Sequence, residues 1–393
     1  MNTSRLARIL INHKKPRIPF IFRFLSFLLR PLFLKRNAFA FVAHPGKPWS
    51  CNLDAFLTFL NSQELKTHIY VINFSGVISD EIMSEYFSTE DNIQVIGFED
   101  PFKLLACCLR CKTFFVSDMS NYGLPGTVIN LWHGIPMKNI GVFQDKKNKR
   151  LGKKFSYVIS AQSKLDRNNM ALAFNLPTSR VLDFGLPRHD WLMGTIPKNQ
   201  KYLHEINKLK SQLGNRKLAL YAPTFRDENK NVLPISNEEV TRIAQLLKKH
   251  NWTLGIRAHV IARPQDNYSL DNIINLSGSE YPHAEAVLEC SDILITDYSS
   301  IAIDYNLTDK QIMGLDTTQQ PYSRGFLLDF DTLFPGDFFF DFDAFLLALE
   351  ENISQSENKK TSARAKASRS LLLGDYAGDA CERLKTFVFE TLD

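Results

Sequence analysis

The sequence predicts an α/β protein of two consecutive parallel-sheet domains facing across a cleft. Three observations predict it. From Asn37 onward, short apolar runs alternate with helical stretches, the pattern of a mostly parallel sheet. A polar, lysine-rich stretch at 197–216 divides that pattern into two similar halves. The sharpest polar motifs each follow a strand, where open α/β sheets bind their ligands. A length of 393 residues is ample for two domains with large cores. With 44% hydrophobic and 23% charged residues the chain is globular rather than disordered. A net charge of +5 is too mild to argue for nucleic acid, and none is expected as a partner.

The first 36 residues form a basic, amphipathic segment. The run 17–36 is strongly apolar, but Arg23, Arg30 and Pro31 interrupt it, which makes it poor as a spanning helix. Arg23, Ser26 and Arg30 share one helical face. Phe20, Phe24, Phe27 and Leu28 cover the rest, and Lys14, Lys15, Arg17, Lys35 and Arg36 flank it. A helix lying in an anionic membrane surface reads this way; a helix docked on the protein's own core is the alternative. No compact apolar run with a small-residue cleavage site is visible, so no secretory signal is expected.

An N-terminal Rossmann-like domain at 37–196 follows, with strands expected at 38–43, 67–74, 93–97, 113–117, 128–132 and 157–160, and helices at 53–60 and 104–109. The linker at 197–215 carries a helix. In a second Rossmann-like domain at 216–375, strands are expected at 217–221, 253–257, 273–276, 293–296 and 311–314, with a helix at 238–250. Residues 376–393 form a closing amphipathic helix. Cys107, Cys108 and Cys111 lack the second ligand pair that a zinc site needs, so they read as core thiols.

Five polar constellations carry the chemistry. In NLWHGIPMKNIG (130–141) a strand ends at Trp132, and His133 follows as a general-base candidate because imidazole titrates near neutrality. A lone histidine is more often structural; Trp-His-Gly with Lys138 five residues after the histidine is more specific. In LYAPTFRD (220–227) Thr224 offers a hydroxyl and Arg226 a planar fork matching phosphate oxygens. In IRAH (256–259) the extended spacing points Arg257 and His259 the same way, towards an anion or an internal carboxylate. SDILITDYSSIAIDY (291–305) gathers Thr296, Asp297, Ser299 and Ser300 with the free amides of a new helix. There Asp297 or Asp304 would accept from a substrate hydroxyl, whereas ordinary helix capping is the bland explanation. The basic run at 146–154 is either a solvated loop or a gatherer of anionic lipid or polymer. The chain has neither a GxGxxG nor a GxxxxGK[ST] pattern, which argues against dinucleotide redox enzymes and P-loop ATPases.

Taken in order, WHGIPMKNIG, GLPRHD (185–190), YAPTFR, RAH, SDILITDYSSIAIDY, YSRGF (322–326) and FPG (334–336) resemble the CDP-glycerol glycerophosphotransferase family of teichoic acid primases and polymerases, which includes CDP-ribitol-using members. The resemblance runs from about Phe39 to the C-terminus. It departs at Ile135, Met137, Val260 and Ile303, where the family usually has Thr, Leu, Pro and Phe. Those departures bear on donor or acceptor identity and leave the catalytic groups intact.

The resemblance implies a GT-B fold, a peripheral position on the cytoplasmic face of the bacterial cell membrane, and transfer of glycerol phosphate or ribitol phosphate from a CDP-polyol. The acceptor would be a lipid-linked saccharide or a polyol-phosphate polymer of teichoic or capsule type, and CMP would leave. His133 would serve as base. Arg226, His259, Ser299 and Ser300 would steady the pyrophosphate, with Lys138, Thr224, Arg257, Thr296, Asp297 and Asp304 as substrate contacts. No metal-binding carboxylate pair is visible, so no metal and no cofactor is expected, although a divalent cation is compatible with these motifs. The alternative is a GT-B glycosyltransferase using a nucleotide sugar, which would release UDP rather than CMP.

Overall fold

The structure, a computed structural model, describes residues 17–392 apart from 44–48, 50, 64–66, 75–79, 88–91, 98, 225–232, 259–269, 319–324 and 355–361. Its described strands form two all-parallel sheets. The first has the order β3-β2-β1-β4-β5-β6-β7, from β1 (Lys35–Ala43), β2 (His68–Asn73), β3 (Ile93–Gly97), β4 (Cys111–Val116), β5 (Thr127–Asn130), β6 (Tyr157–Ile159) and β7 (Val181–Leu182). The second has the order β10-β9-β8-β11-β12-β13, from β8 (Lys217–Tyr221), β9 (Trp252–Ile256), β10 (Ile273–Asn275), β11 (Ile293–Thr296), β12 (Gln311–Leu315) and β13 (Asp337–Phe339). Each order reverses direction once, between β1 and β4 and between β8 and β11, as in a doubly wound Rossmann sheet.

The central strands show why the chain folds this way. In β1 every residue from Ala38 to Ala43 is buried. Ala38, Ala40 and Val42 pack into one core layer, and Phe39, Phe41 and Ala43 into another. A strand covered on both faces needs apolar residues at every position, and its twofold side-chain period divides them between two layers. The abundant phenylalanines fill this space at angles from 31°, between Phe41 and Phe115, to 72°, between Phe56 and Phe115.

One core layer runs through both domains. Phe41, Leu53, Trp191, Tyr202, Leu220 and Leu294 belong to it. The stretch expected to link the domains is a helix, Gln200–Leu213, with Tyr202, Glu205, Ile206, Leu209 and Leu213 buried. The chain then returns to the first domain. Ser163 Oγ donates to Leu371 O, Gln162 bridges Gly374, and the helix Ala380–Thr386 leads into a π turn, Phe387–Thr391, whose Phe389 meets Phe39 at 5.2 Å.

Three differences from the sequence reading have physical causes. The edge strands β7 and β13 are two and three residues long, too short to show a period. β5 stops at Asn130 rather than Trp132, because Trp132 adopts a left-handed conformation (φ +47°). The closing helix is interrupted by the π turn. Cys107, Cys108 and Cys111 are buried core residues, and burial pushes the Cys107 and Cys108 thiols well up.

Candidate active site

The carboxyl ends of the two sheets meet. On the first-domain side, Asn130 Nδ2 donates to Asp118 O (2.7 Å), and its side-chain oxygen accepts from Trp132 N (2.8 Å). Trp132 then turns left-handed, a conformation that costs an L-residue about 1–2 kcal/mol. His133 follows with an exposed ring whose centroid lies 4.0 Å from that of the indole, the two planes tilted by 33°. Its Nδ1 lies 3.0 Å from Ser117 O. A carbonyl only accepts, so Nδ1 carries the proton, and Nε2 of the neutral ring holds the lone pair.

On the opposite wall, β8 and β11 end side by side. Thr296 Oγ1 donates to Ala222 O (2.7 Å) and Thr224 N donates to Asp297 Oδ1 (2.6 Å), so Thr296 and Asp297 fasten one strand end to the other. Ser299 and Ser300 are half-buried. Capping accounts for Ser299, whose Oγ accepts from Ile301 N (3.5 Å), but not for Ser300, whose side chain makes no cap bond, nor for Asp297, whose Oδ1 takes Thr224 N. The following helix, Ile301–Tyr305, is a single turn continued as a 3-10 turn. The site therefore offers hydroxyls more than a helix dipole.

The two walls touch. A Cβ on Gly134 would lie 3.2 Å from Arg188 Nη2 and 3.4 Å from Ser300 Oγ. Lys138 Nζ donates across the cleft to Thr224 Oγ1 (3.3 Å). Met137 O accepts from Leu327 N (3.0 Å) and Asn139 N donates to Gly325 O (3.3 Å), so the segment after His133 is zipped to the glycine-phenylalanine segment of the second domain.

Two sequence candidates are placed elsewhere. Asp304 was expected to meet a substrate hydroxyl. Instead it is buried, with Oδ2 2.6 Å from Arg188 Nη2 and Oδ1 2.6 Å from His189 Nε2. Burial raises its pKa, but Arg188 and His189 outweigh that and hold it below the usual carboxylate range. Arg257 Nη1 donates to the carbonyls of Leu276 and Tyr281, both at 2.8 Å, which directs it into its own domain. Arg226 and His259 lie outside the described residues. Ile135, Met137 and Ile303 are buried in the core, so these three departures from the family pattern are packing choices.

The residues that sequence reasoning missed lie in GLPRHD and at the domain junction. Arg188 reaches Asp304 and Glu285 (3.7 Å), His189 reaches Asp304, and Asp190 accepts from Ala380 N, Cys381 N and Tyr376 OH, tying down the closing helix. The motif itself was the available signal. His283 carried none: it is fully buried between Asp54 (2.7 Å) and Glu205 (2.8 Å), among Tyr86, Trp191 and Tyr202. Among the described residues no group of His, Cys, Asp and Glu is arranged to hold a metal ion.

Two Rossmann-type sheets joined at their carboxyl ends, with hydroxyls on one wall and a histidine on the other, define a GT-B-type α/β architecture. A variant of the wall teichoic acid polymerase TagF shares it, with TM-score 0.75 at 17% identity over 94% of this chain and 93% of that chain. The chain belongs to the CDP-glycerol:poly(glycerophosphate) glycerophosphotransferase family, whose model matches residues 23–390. It is 25% identical over 366 residues to the teichoic acid poly(glycerol phosphate) polymerase of Bacillus spizizenii, covering 86% of this chain and 89% of that relative. It is also 26% identical over 312 residues to the teichoic acid ribitol-phosphate polymerase TarK of Staphylococcus aureus, covering 71% of this chain but 60% of TarK. Across such relatives the matched share of their length runs from 32% to 89%.

Proposed function

We propose that this protein transfers glycerol phosphate or ribitol phosphate from a CDP-polyol to a hydroxyl of a lipid-linked or polymeric acceptor, in teichoic-acid-type or capsule-type synthesis. The observation that carries the reading is the meeting of His133's loop with Ser300 and Thr224 across the cleft. The acceptor oxygen attacks the β-phosphorus of the donor. The new O–P bond forms as the P–O bond to CMP breaks, and that electron pair leaves with CMP. His133 Nε2 takes the hydroxyl proton. Thr224, Lys138, Ser299 and Ser300 line the phosphate side, and Arg226 and His259 join them from the sequence motifs. Thr296, Asp297, Arg257 and Asp304 act indirectly, by holding that wall in shape. Charge stabilisation by fixed donors is what phosphoryl transfer demands of a protein.

Incubation with CDP-glycerol, CDP-ribitol and UDP-sugars in the presence of a lipid-linked acceptor tests this. CMP release with an acceptor gaining a polyol phosphate is the expected result. UDP release from a nucleotide sugar would replace the reading with glycosyl transfer.

The same reading places the enzyme peripherally on an anionic membrane, on its cytoplasmic face. No helix among the described residues is long and apolar enough to cross one. The helix Phe20–Phe33 docks by its polar side: Ser26 is buried and Arg30 donates to Pro125 O and Cys111 O. Its apolar side faces outward, with Phe27 81% and Leu32 78% exposed. Sequence amphipathy left open which side meets the protein. Lys149, Arg150 and Lys153 are exposed nearby, since Lys154 and Ile18 contact the same loop at Met119 and Tyr122. Burying each such apolar side chain in lipid contributes roughly 2 kcal/mol. Phe27→Glu with Leu32→Glu should therefore abolish co-sedimentation with phosphatidylglycerol vesicles while sparing turnover of a soluble acceptor. Unchanged co-sedimentation would remove this helix from membrane binding.

A further inference from the structure

We infer that Asn52 is a positioning residue for His133, acting by clamping the strained Trp132 backbone. The inference rests on His133 being the base. A bulky side chain in the left-handed region persists only when its surroundings over-determine it. Here both peptide groups of Trp132 are held. Asn130 Oδ1 takes the Trp132 N–H at 2.8 Å. From the other side, Asn52 Nδ2 donates to Leu131 O (2.8 Å) and Trp132 O (3.2 Å).

Asn52 itself is locked. It is fully buried, and its Oδ1 accepts from Arg188 N (3.1 Å) at the start of the helix Pro187–Met193. A flipped amide would set its oxygen against two carbonyls and its nitrogen against an N–H, so only one orientation satisfies all three contacts. The result is carried into the next residue. The left-handed turn brings the indole beside the imidazole, with centroids 4.0 Å apart and planes tilted by 33°, and brings Nδ1 to Ser117 O, which fixes the tautomer with the lone pair on Nε2. Asn52 also sits two residues from Asp54, which holds His283 of the second domain, so one helix start serves both the base loop and the domain junction.

Asn52→Asp separates clamping from folding. It is isosteric and keeps an acceptor for Arg188 N, but it faces Leu131 O and Trp132 O with oxygen in place of an N–H donor. The full-length variant should lose on the order of a hundredfold in kcat, as for a catalytic group displaced by an ångström, with donor KM changed less than about twofold because the donor wall is untouched. Asn61→Asp, the same substitution at the half-buried far end of the helix Cys51–Asn61, is the matched control.

Two spectroscopic readouts do not depend on turnover. The ¹⁵N spectrum of the His133 ring should change from one tautomer to a mixture. In acid, where the imidazole is protonated, its quenching of Trp132 emission, isolated by difference against Trp132→Phe, should weaken. Should Asn52→Asp fail to fold, Asn52→Ser carries the same measurements. Unchanged tautomer and quenching in a folded variant overturn the clamp. If instead both change while His133→Ala retains turnover, the clamp stands and the base assignment is what has failed.

Discussion

Replacing His133 with alanine is expected to lower kcat by about 10³-fold, the middle of the range for loss of a general base, while CDP-polyol still binds with near-normal affinity. The separation follows from the geometry. His133 stands on the first-domain wall, its ring exposed and its Nδ1 turned to Ser117 O, whereas Thr224, Ser299 and Ser300 belong to the second domain. Removing an exposed ring leaves the donor wall intact. Single-turnover kinetics and calorimetric titration with CDP-glycerol measure the two quantities separately. Turnover within tenfold of the parent would dismiss His133 as base, and parallel loss of turnover and donor affinity would make it a donor contact instead.

The second large effect is on stability. Burial alone would pull the His283 pKa down, but hydrogen bonds to Asp54 and Glu205, reinforced by their charges, push it up to about 9. An unfolded histidine titrates near 6.5. A folded-state pKa above the unfolded one means the folded protein binds the proton more tightly. The contribution is therefore fully present below about pH 6.5 and is lost as pH rises through about 9. A difference of this size corresponds to on the order of 3 kcal/mol. When the proton leaves, Asp54 and Glu205 face each other across a neutral ring, with Tyr86, Trp191 and Tyr202 closing off water. Thermal unfolding should therefore shift to lower temperature between pH 7 and pH 9.5. His283→Gln should unfold earlier at pH 7 and show a much flatter profile over the same interval. An identical slope in both proteins would remove His283 as its source. Because Asp54 lies in the first domain and His283 in the second, this loss also loosens the junction on which the cleft depends.

Much of the site could be read from the sequence because strand ends are local events. Asn130 to Lys138, Tyr221 to Thr224 and Thr296 to Ser300 each follow an apolar run that reads as a buried strand, and each lies at a carboxyl end in the structure. Pairings between distant segments left no such trace. Asp304 looked available because nothing beside it in the chain neutralises it; its partners, Arg188 and His189, come from the other domain. Arg257 was placed by strand alternation, which sets where a side chain leaves the backbone and not where a long guanidinium ends. The helix Phe20–Phe33 was read as amphipathic, but amphipathy alone does not say which side meets the protein.

The sequence by itself determined two parallel-sheet domains, the order of their strand-end motifs and the family they identify, because hydrophobic period and short motifs are written in consecutive residues. Only the tertiary structure decided that Trp132 turns left-handed under His133, that Asp304 is closed by Arg188 and His189, and that His283 joins the two domains. Those outcomes depend on burial and on polar and charged groups brought together from separate segments, from 78 residues apart for Glu205 and His283 to 229 for Asp54 and His283, whose energies do not exist until the chain has folded.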